Sequence, residues 1–141
     1  MFDVEMCEER RIVLVRFDTS FVTTDLAALD RLAAASPGAG PLDCIFDLTE
    51  VKTFDLKPEF VARRGEIPQA YRGRQRFYVV AQEQEDLRLL VRLYAAYQAN
   101  GGWRPPEIVP TLHEALAKLS VNRSSFRPLP LPGLVPRPSG E

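Results

Sequence analysis

The sequence is poor in cysteine and histidine and has no long apolar run. It has two cysteines, Cys7 and Cys44, and one histidine, too few to form a four-ligand zinc site from these residue types. Both cysteines lie in apolar, strand-like segments, which is typical of small buried side chains rather than of a functional pair. No segment approaches the roughly 18 apolar residues of a membrane-spanning helix. Residues 1–5 carry neither basic residues nor an apolar run, so we expect no signal peptide and a cytoplasmic location.

The chain also lacks an excess of charge and any phosphate-binding loop. Its formal net charge is −1, which provides no field for nucleic acid. The glycines fit neither the dinucleotide-binding nor the P-loop pattern, and no serine lies in a G-x-S-x-G motif. His113 is expected in the first turn of the last helix, as a solvated surface residue. The sequence therefore predicts no catalytic residue, no cofactor and no enzyme.

The length and composition are those of one globular domain. A chain of 141 residues buries roughly 70% of its unfolded surface, which is enough for a core without metal or disulfide support. Apolar residues make up 45% of the chain and charged residues 26%, which are ordinary proportions for a folded protein.

Apolar patterning predicts strands that alternate with helices after an initial hairpin. The order ββαβαβαβα indicates an α/β fold with a mixed, mostly parallel sheet of about five strands, one antiparallel edge strand and helices packed on the sheet. Strands are predicted over residues 2–8, 11–17, 42–48, 75–81 and 107–109, and helices after Thr23, after Asp55, over 86–100 and from Thr111 onward.

Local signals set the ends of these helices. Residues 23–25 carry hydroxyls and an acid suited to a helix start, and the prolines and glycines of 36–41 should stop that helix. Asn100-Gly101 is expected to end the longest helix in a left-handed turn. Residues 111–114 read Thr-Leu-His-Glu, a capping box for the last helix.

The composition changes after residue 120. Residues 121–141 are rich in proline and show neither a helical nor a strand period, which favours an extended or disordered tail. Four apolar residues of this segment could still pack onto the domain or onto a second copy of the chain. We therefore assign residues 1–120 to the domain and 121–141 to a proline-rich tail.

The junction between the third strand and the second helix is the most informative segment. Apolar residues up to Leu48 are followed by a predicted loop over 49–54, and a helix starts after Asp55 with Pro58 near its first turn. Strand-to-helix junctions of α/β folds often carry functional groups. Asp47 and Asp55 flank the predicted loop and could bind Mg²⁺ or share a proton. The favoured interpretation is structural, with Asp47 bonding the turn and Asp55 capping the helix.

Arginines form the one notable charge cluster. Guanidinium groups suit phosphate or carboxylate recognition, but the acids between them favour a solvated face. The cluster comprises Arg63, Arg64, Arg72, Arg74 and Arg76.

The element order and the run Phe-Asp-Leu-Thr-Glu-Val over 46–51, followed by Phe-Asp at 54–55, resemble the STAS domain family. The resemblance covers about residues 2–120 and is closest to the stand-alone bacterial SpoIIAA-like branch, whose fold is also similar to that of lipid-binding SEC14 proteins. In regulatory members the residue after the second aspartate is phosphorylated. That position here is Leu56, which has no hydroxyl, and Lys57-Pro58 replaces the glycine that usually follows.

The resemblance implies a non-enzymatic module that binds a protein partner or a second copy of itself without a phosphorylation switch. An exposed Leu56 at the helix start would provide a hydrophobic contact in a partner complex or a homodimer. The predicted partner-binding residues are Asp55, Leu56, Lys57, Glu59, Arg63 and Arg64.

A small-molecule or lipid carrier of the SEC14 type is the alternative. Helices beside the sheet would then leave an apolar cavity with an arginine at its mouth, as in many ligand pockets. The predicted pocket residues are Phe60, Phe77, Tyr94 and Tyr97.

Overall fold

The computed structural model of the chain describes residues 2–35, 42–67 and 75–129. The predicted helix stop at 36–41, and Arg72 and Arg74, lie outside these residues. The elements follow the predicted order, with one short strand added at the end. In chain order they are β1 (Phe2–Cys7), β2 (Ile12–Phe21), α1 (Thr23–Ala35), β3 (Asp43–Phe54), α2 (Pro58–Gly65), β4 (Arg76–Val79), α3 (Glu85–Asn100), β5 (Glu107–Val109), α4 (Leu112–Lys118), a 3-10 helix (Arg123–Ser125) and β6 (Arg127–Pro128).

In the described part of the chain, the strands form one six-stranded mixed sheet. Its order is β5-β4-β3-β2-β1-β6. Strands β2 to β5 run parallel to one another, whereas β1 is antiparallel to both β2 and β6. The α/β fold with a mostly parallel sheet is therefore confirmed. The predicted antiparallel edge strand β1 is instead second from the edge, because β6 pairs outside it.

Apolar side chains on the two faces of the sheet form two separate cores. Strands alternate their side chains between faces, so Val13 and Val15 of β2 join one core and Ile12 and Leu14 join the other. The first core includes residues of α1, α2 and α3, such as Leu26, Val61 and Leu87. The second includes Leu116 of α4.

The connections explain this division of helices. Each helix from α1 to α3 joins two parallel neighbouring strands, and the chain adds these strands in one direction, from β2 to β5. Crossovers of this kind share one hand, so helices that follow strands in one direction lie on one face. That leaves the opposite face to α4 and the residues after it.

The fold continues past residue 120 in the described residues. Arg127 and Pro128 pair with Met6 and Glu5 of β1, and Phe126 is buried in the core beneath α4. The described part of the predicted tail, residues 121–129, thus completes one edge of the sheet. Residues 130–141 lie outside the described part of the chain.

Helix ends differ in how well local sequence predicts them. The Thr111 hydroxyl accepts a hydrogen bond of 3.1 Å from the Glu114 amide at the start of α4, as expected for its cap. At the end of α3, Gly101 has a φ of −80°, so the predicted left-handed stop at this residue is wrong. The left-handed residue is Gly102, with a φ of +85°.

Within the described residues, no helix has the length and apolar character needed to cross a membrane.

Candidate functional site

The segment predicted as a loop before α2 is a continuation of β3. This strand runs to Phe54 and pairs with β2 along its extension, where Thr19 faces Val51 and Phe21 faces Phe54. The pairing includes two shifts of register, and Val51 is buried. Only residues 55–57 remain to link β3 to α2, so this turn is shorter than the sequence predicted.

Asp55 caps no part of α2. The residue before the first turn of α2 is Lys57, which makes no side-chain capping bond. The Asp55 carboxylate instead accepts a bond of 3.3 Å from the backbone amide of Thr23, the first residue of α1. A carboxylate is favourable at that position because the free amides at a helix start carry partial positive charge. The turn after β3 is therefore joined to the neighbouring helix.

Leu56 is buried rather than exposed. Only 8% of its surface is accessible, and it belongs to the core on the α1–α3 face. Because the turn directs this apolar side chain inward beneath α2, Leu56 cannot serve as the predicted hydrophobic contact on the surface.

Asp47 and Asp55 have different partners and form no carboxylate pair. Asp47 is 3% exposed. Its Oδ1 accepts bonds from the Thr49 amide at 3.0 Å and the Thr49 hydroxyl at 2.7 Å, and its Oδ2 lies 3.6 Å from Arg16 Nε. Asp47 thus has structural partners, but they lie within β3 rather than in the predicted turn. The described residues contain no group of three or more His, Cys, Asp or Glu that could hold a metal.

Most of the predicted partner-binding residues share one exposed surface. Asp55, Lys57, Glu59 and Arg63 are all exposed along the turn and the outer side of α2. We call these four residues the α2 surface. Within the described residues, the side chains of Lys57, Glu59 and Arg63 form neither a hydrogen bond nor an ion pair.

Arg64 differs from its neighbours because it is held by Asp30 of α1. Its two terminal nitrogens donate to the two Asp30 oxygens at 3.0 and 2.7 Å. Burial by itself would lower the pKa of Arg64, but the hydrogen bond and the charge of Asp30 outweigh it and raise that pKa. Sequence reasoning missed this pair, since the two residues are 34 positions apart.

An apolar pocket lies between α2, α3 and the sheet. Its cavity is about 40 Å³, against the roughly 10–15 Å³ that one water needs. Arg64 and two tyrosine hydroxyls provide its polar groups. The lining residues are Phe21, Leu26, Leu56, Phe60, Val61, Arg64, Tyr78, Leu87, Leu90, Val91 and Tyr94.

Two of the four predicted pocket residues line this pocket. Phe60 and Tyr94 do so. Phe77 points to the opposite face of the sheet and is buried in the core beneath α4. Side chains alternate along β4, and it is the neighbouring Tyr78 that faces the pocket. Tyr97 packs against α2, since a Cβ added to Gly65 would lie 2.6 Å from the Cβ of Tyr97.

Tyr78 is the aromatic residue of β4 that lines the pocket in place of the predicted Phe77. Its ring stacks on Phe46 with centroids 4.9 Å apart and meets Tyr94 edge-on at 6.0 Å. Burial, followed by the charge of Tyr94, raises the pKa of Tyr78 well above its usual range. Its hydroxyl therefore stays protonated even where an ordinary tyrosine would begin to ionise. Period-two alternation in β4 was the signal that could have selected Tyr78 in place of Phe77.

Arg76 of the predicted basic cluster is a structural residue. It is 5% exposed and donates to the Tyr94 hydroxyl at 2.8 Å, to Gln98 Oε1 at 2.8 Å and to the Arg104 carbonyl at 2.7 Å. Gln98 in turn donates to the carbonyls of Gly65 and Ile67, each at 2.8 Å. These bonds tie the end of α2 to α3 and β4, so Arg76 offers no free guanidinium for a ligand.

Comparisons with protein-family models, with curated proteins and with solved structures find no match to this chain.

Proposed function

We propose that this chain is a non-enzymatic, cytoplasmic module of the STAS type that binds a protein partner or a second copy of itself. The contact is made through the α2 surface, and Leu56 acts beneath that surface as a core residue. The order of elements and the mostly parallel sheet agree with this assignment.

The observation that carries the proposal is that three of the four residues of the α2 surface have unpaired side chains. Lys57, Glu59 and Arg63 lie close together in the chain and form no ion pair with another described residue, although Glu59 and Arg63 are one helical turn apart. A partner with complementary charges can therefore engage them without first breaking internal bonds. Such contacts chiefly set specificity and association rate, and they require no phosphate at position 56.

Charge reversal on the α2 surface tests for self-association. We expect the double variant Lys57→Glu and Arg63→Glu to raise the dimer dissociation constant in sedimentation equilibrium at least tenfold, while circular dichroism stays unchanged. Arg31→Glu is the matched control, because Arg31 is an exposed arginine on α1.

A partner protein is tested with a photo-crosslinking residue at position 59 and, as the control, at position 31. Support would be one crosslinked species formed from position 59 in cell extract and lost on reversal of Lys57 and Arg63. A monomer at all concentrations that gives no such species would refute the proposed surface.

A small apolar ligand is a second candidate, favoured by the pocket beneath α2. The pocket combines an apolar lining with Arg64, but its cavity of about 40 Å³ is far below the roughly 300–1,000 Å³ of drug-sized sites. Even a benzene ring, which fits a cavity of about 150 Å³, would need α2 to move outward.

Native mass spectrometry tests this second candidate. A co-purified apolar molecule should be lost in Leu90→Trp, which fills the pocket, and kept in the control Leu89→Trp, because Leu89 is 62% exposed. A wild-type chain that carries no ligand would argue against the carrier function.

A further inference from the structure

Two arginines of α3 have no partner within the described residues. Arg88 and Arg92 lie one helical turn apart, and neither side chain forms a hydrogen bond or an ion pair with another described residue. Like charges at this spacing repel each other and destabilise a helix. A bound anion would relieve this repulsion, since no acidic side chain of the described residues pairs with either arginine.

The stability of α3 does not account for their position. Cations stabilise a helix near its C-terminus, where they face the negative end of the helix dipole. The last turn of α3 has no basic residue, whereas Arg88 and Arg92 both lie in the first half of Glu85–Asn100. Both arginines are thus placed where they do little for the helix that carries them.

Both side chains line one cleft between α3 and β5. The cleft has a volume of about 150 Å³ and also includes Val80, Gln82, Ile108 and Pro110. It opens at the carboxyl ends of β4 and β5, where the Val80 amide donates to the Val109 carbonyl at 2.9 Å. The cleft therefore presents the guanidinium groups of Arg88 and Arg92 and the side-chain amide of Gln82 beside an apolar wall. We call it the α3–β5 cleft.

We propose that the α3–β5 cleft binds a small organic anion, a phosphate monoester or carboxylate whose apolar body lies on the partly exposed Ile108 and Pro110. Planar guanidinium groups bind such oxyanions with paired, charge-assisted hydrogen bonds. Two arginines on one side of a cleft match the two or more negative oxygens of a phosphate. This site is separate from the α2 surface and from the pocket beneath α2.

A peptide strand added to β5 is disfavoured as the occupant. In the described part of the chain β5 is an edge strand of three residues, and Pro105, Pro106 and Pro110 flank it closely. Proline supplies no amide hydrogen and is a usual means of blocking strand addition at an edge. Because the flanking prolines disfavour strand addition at the edge of β5, a ligand would bind on the side of β5 that faces the cleft.

Titration with phenyl phosphate at constant ionic strength tests the site by two-dimensional NMR. We expect saturable shifts of the amides of Val80, Gln82 and Ile108. Each of Arg88→Gln and Arg92→Gln should weaken binding roughly tenfold, as expected when one charge-assisted contact is lost. The matched control Arg31→Gln, on α1, should bind as the wild type does.

Two further probes identify the parts of the ligand. Inorganic phosphate should bind more weakly than phenyl phosphate at the same amides, because it lacks the apolar body, and benzoate distinguishes a carboxylate from a phosphate ligand. The proposal is overturned if phenyl phosphate shifts none of these amides, or if the double variant Arg88→Gln and Arg92→Gln binds as the wild type does. It is equally overturned if only an acidic peptide binds and does so along β5.

Discussion

The Leu56 side chain lies beneath α2 with 8% of its surface accessible, in contact with the apolar pocket lining. Its neighbours Asp55 and Lys57 are exposed. At the scale of single residues, this alternation separates two roles within one short turn. The charged residues are available to a partner, and the leucine anchors the turn to the core.

Leu56→Asp should therefore destabilise the fold. A carboxylate at this position would be buried without a partner, so we expect the free energy of unfolding to fall by about 3–5 kcal/mol. Urea unfolding followed by circular dichroism measures the loss, with the adjacent Lys57→Gln as a control that should change stability by less than about 0.5 kcal/mol. Equal stability of the two variants would contradict the buried position.

The buried thiol of Cys44 makes the stability of the fold depend on pH. Burial raises the pKa of its thiol from 9.0 to about 12, against the opposing charge of Arg76. In the unfolded chain the thiol loses its proton near its ordinary pKa, whereas the folded chain keeps it. The unfolded state then binds fewer protons between about pH 9 and 12, so the free energy of unfolding must fall as the pH rises through this range.

Urea unfolding of wild type and Cys44→Ala from pH 7 upward tests this prediction. Above pH 9 the wild-type free energy of unfolding should decline more steeply, by up to about 1.4 kcal/mol per pH unit for one proton. Below that pH the two stability curves should run parallel. A common slope at all pH values would mean that the thiol is not held protonated by the fold.

At the scale of elements, the segment after α4 closes one edge of the sheet. Arg123 binds Glu5 of β1 with two bonds of 2.6 and 2.9 Å, and Phe126 is 5% exposed in the core beneath α4. Arg10 donates to the carbonyls of Leu119 and Ser120, both at 2.9 Å, near the end of α4. The segment is therefore anchored by Glu5 of β1 and by Arg10 in the turn that follows β1.

Phe126→Ala tests whether this segment contributes to stability. Removal of a buried ring typically costs about 3–5 kcal/mol, so we expect a loss of this order in urea unfolding. Ser125→Ala is the matched control, because Ser125 is the exposed preceding residue and should change little. A negligible loss for Phe126→Ala would mean that residues after α4 do not pack on the sheet in solution.

The elements also differ in how far sequence could predict them. The Thr111 cap and the alternation of Phe2 and Val4 depend on near neighbours in sequence, and the structure confirms both. The extension of β3 was missed because most of its residues are polar and few are buried, although they still pair with β2. The Arg64–Asp30 pair was missed because the two residues are far apart in the sequence. A contact between distant segments produces no periodic pattern in the local sequence.

At the scale of the whole molecule, the two cores share the same strands. In β2, Val13 and Val15 belong to the core beneath α1–α3, and Ile12 and Leu14 belong to the core beneath α4. If either helix layer is lost, side chains on one face of the strands become exposed. The other layer packs on the opposite face of the same strands. This shared support predicts that the described fold unfolds as one cooperative unit.

Trp103, the single tryptophan of the chain, allows a sharp test of this cooperativity. It follows α3, where its backbone amide donates to the Gln98 carbonyl at 2.9 Å, whereas Phe126 lies in the core beneath α4. In a cooperative unit, Phe126→Ala should shift the Trp103 fluorescence transition and the far-UV circular dichroism transition to the same lower urea concentration. If the variant lowers the dichroism midpoint but leaves the fluorescence midpoint in place, the two helix layers unfold separately. The strands that the two cores share would then couple the unfolding of the two helix layers less strongly than their packing implies.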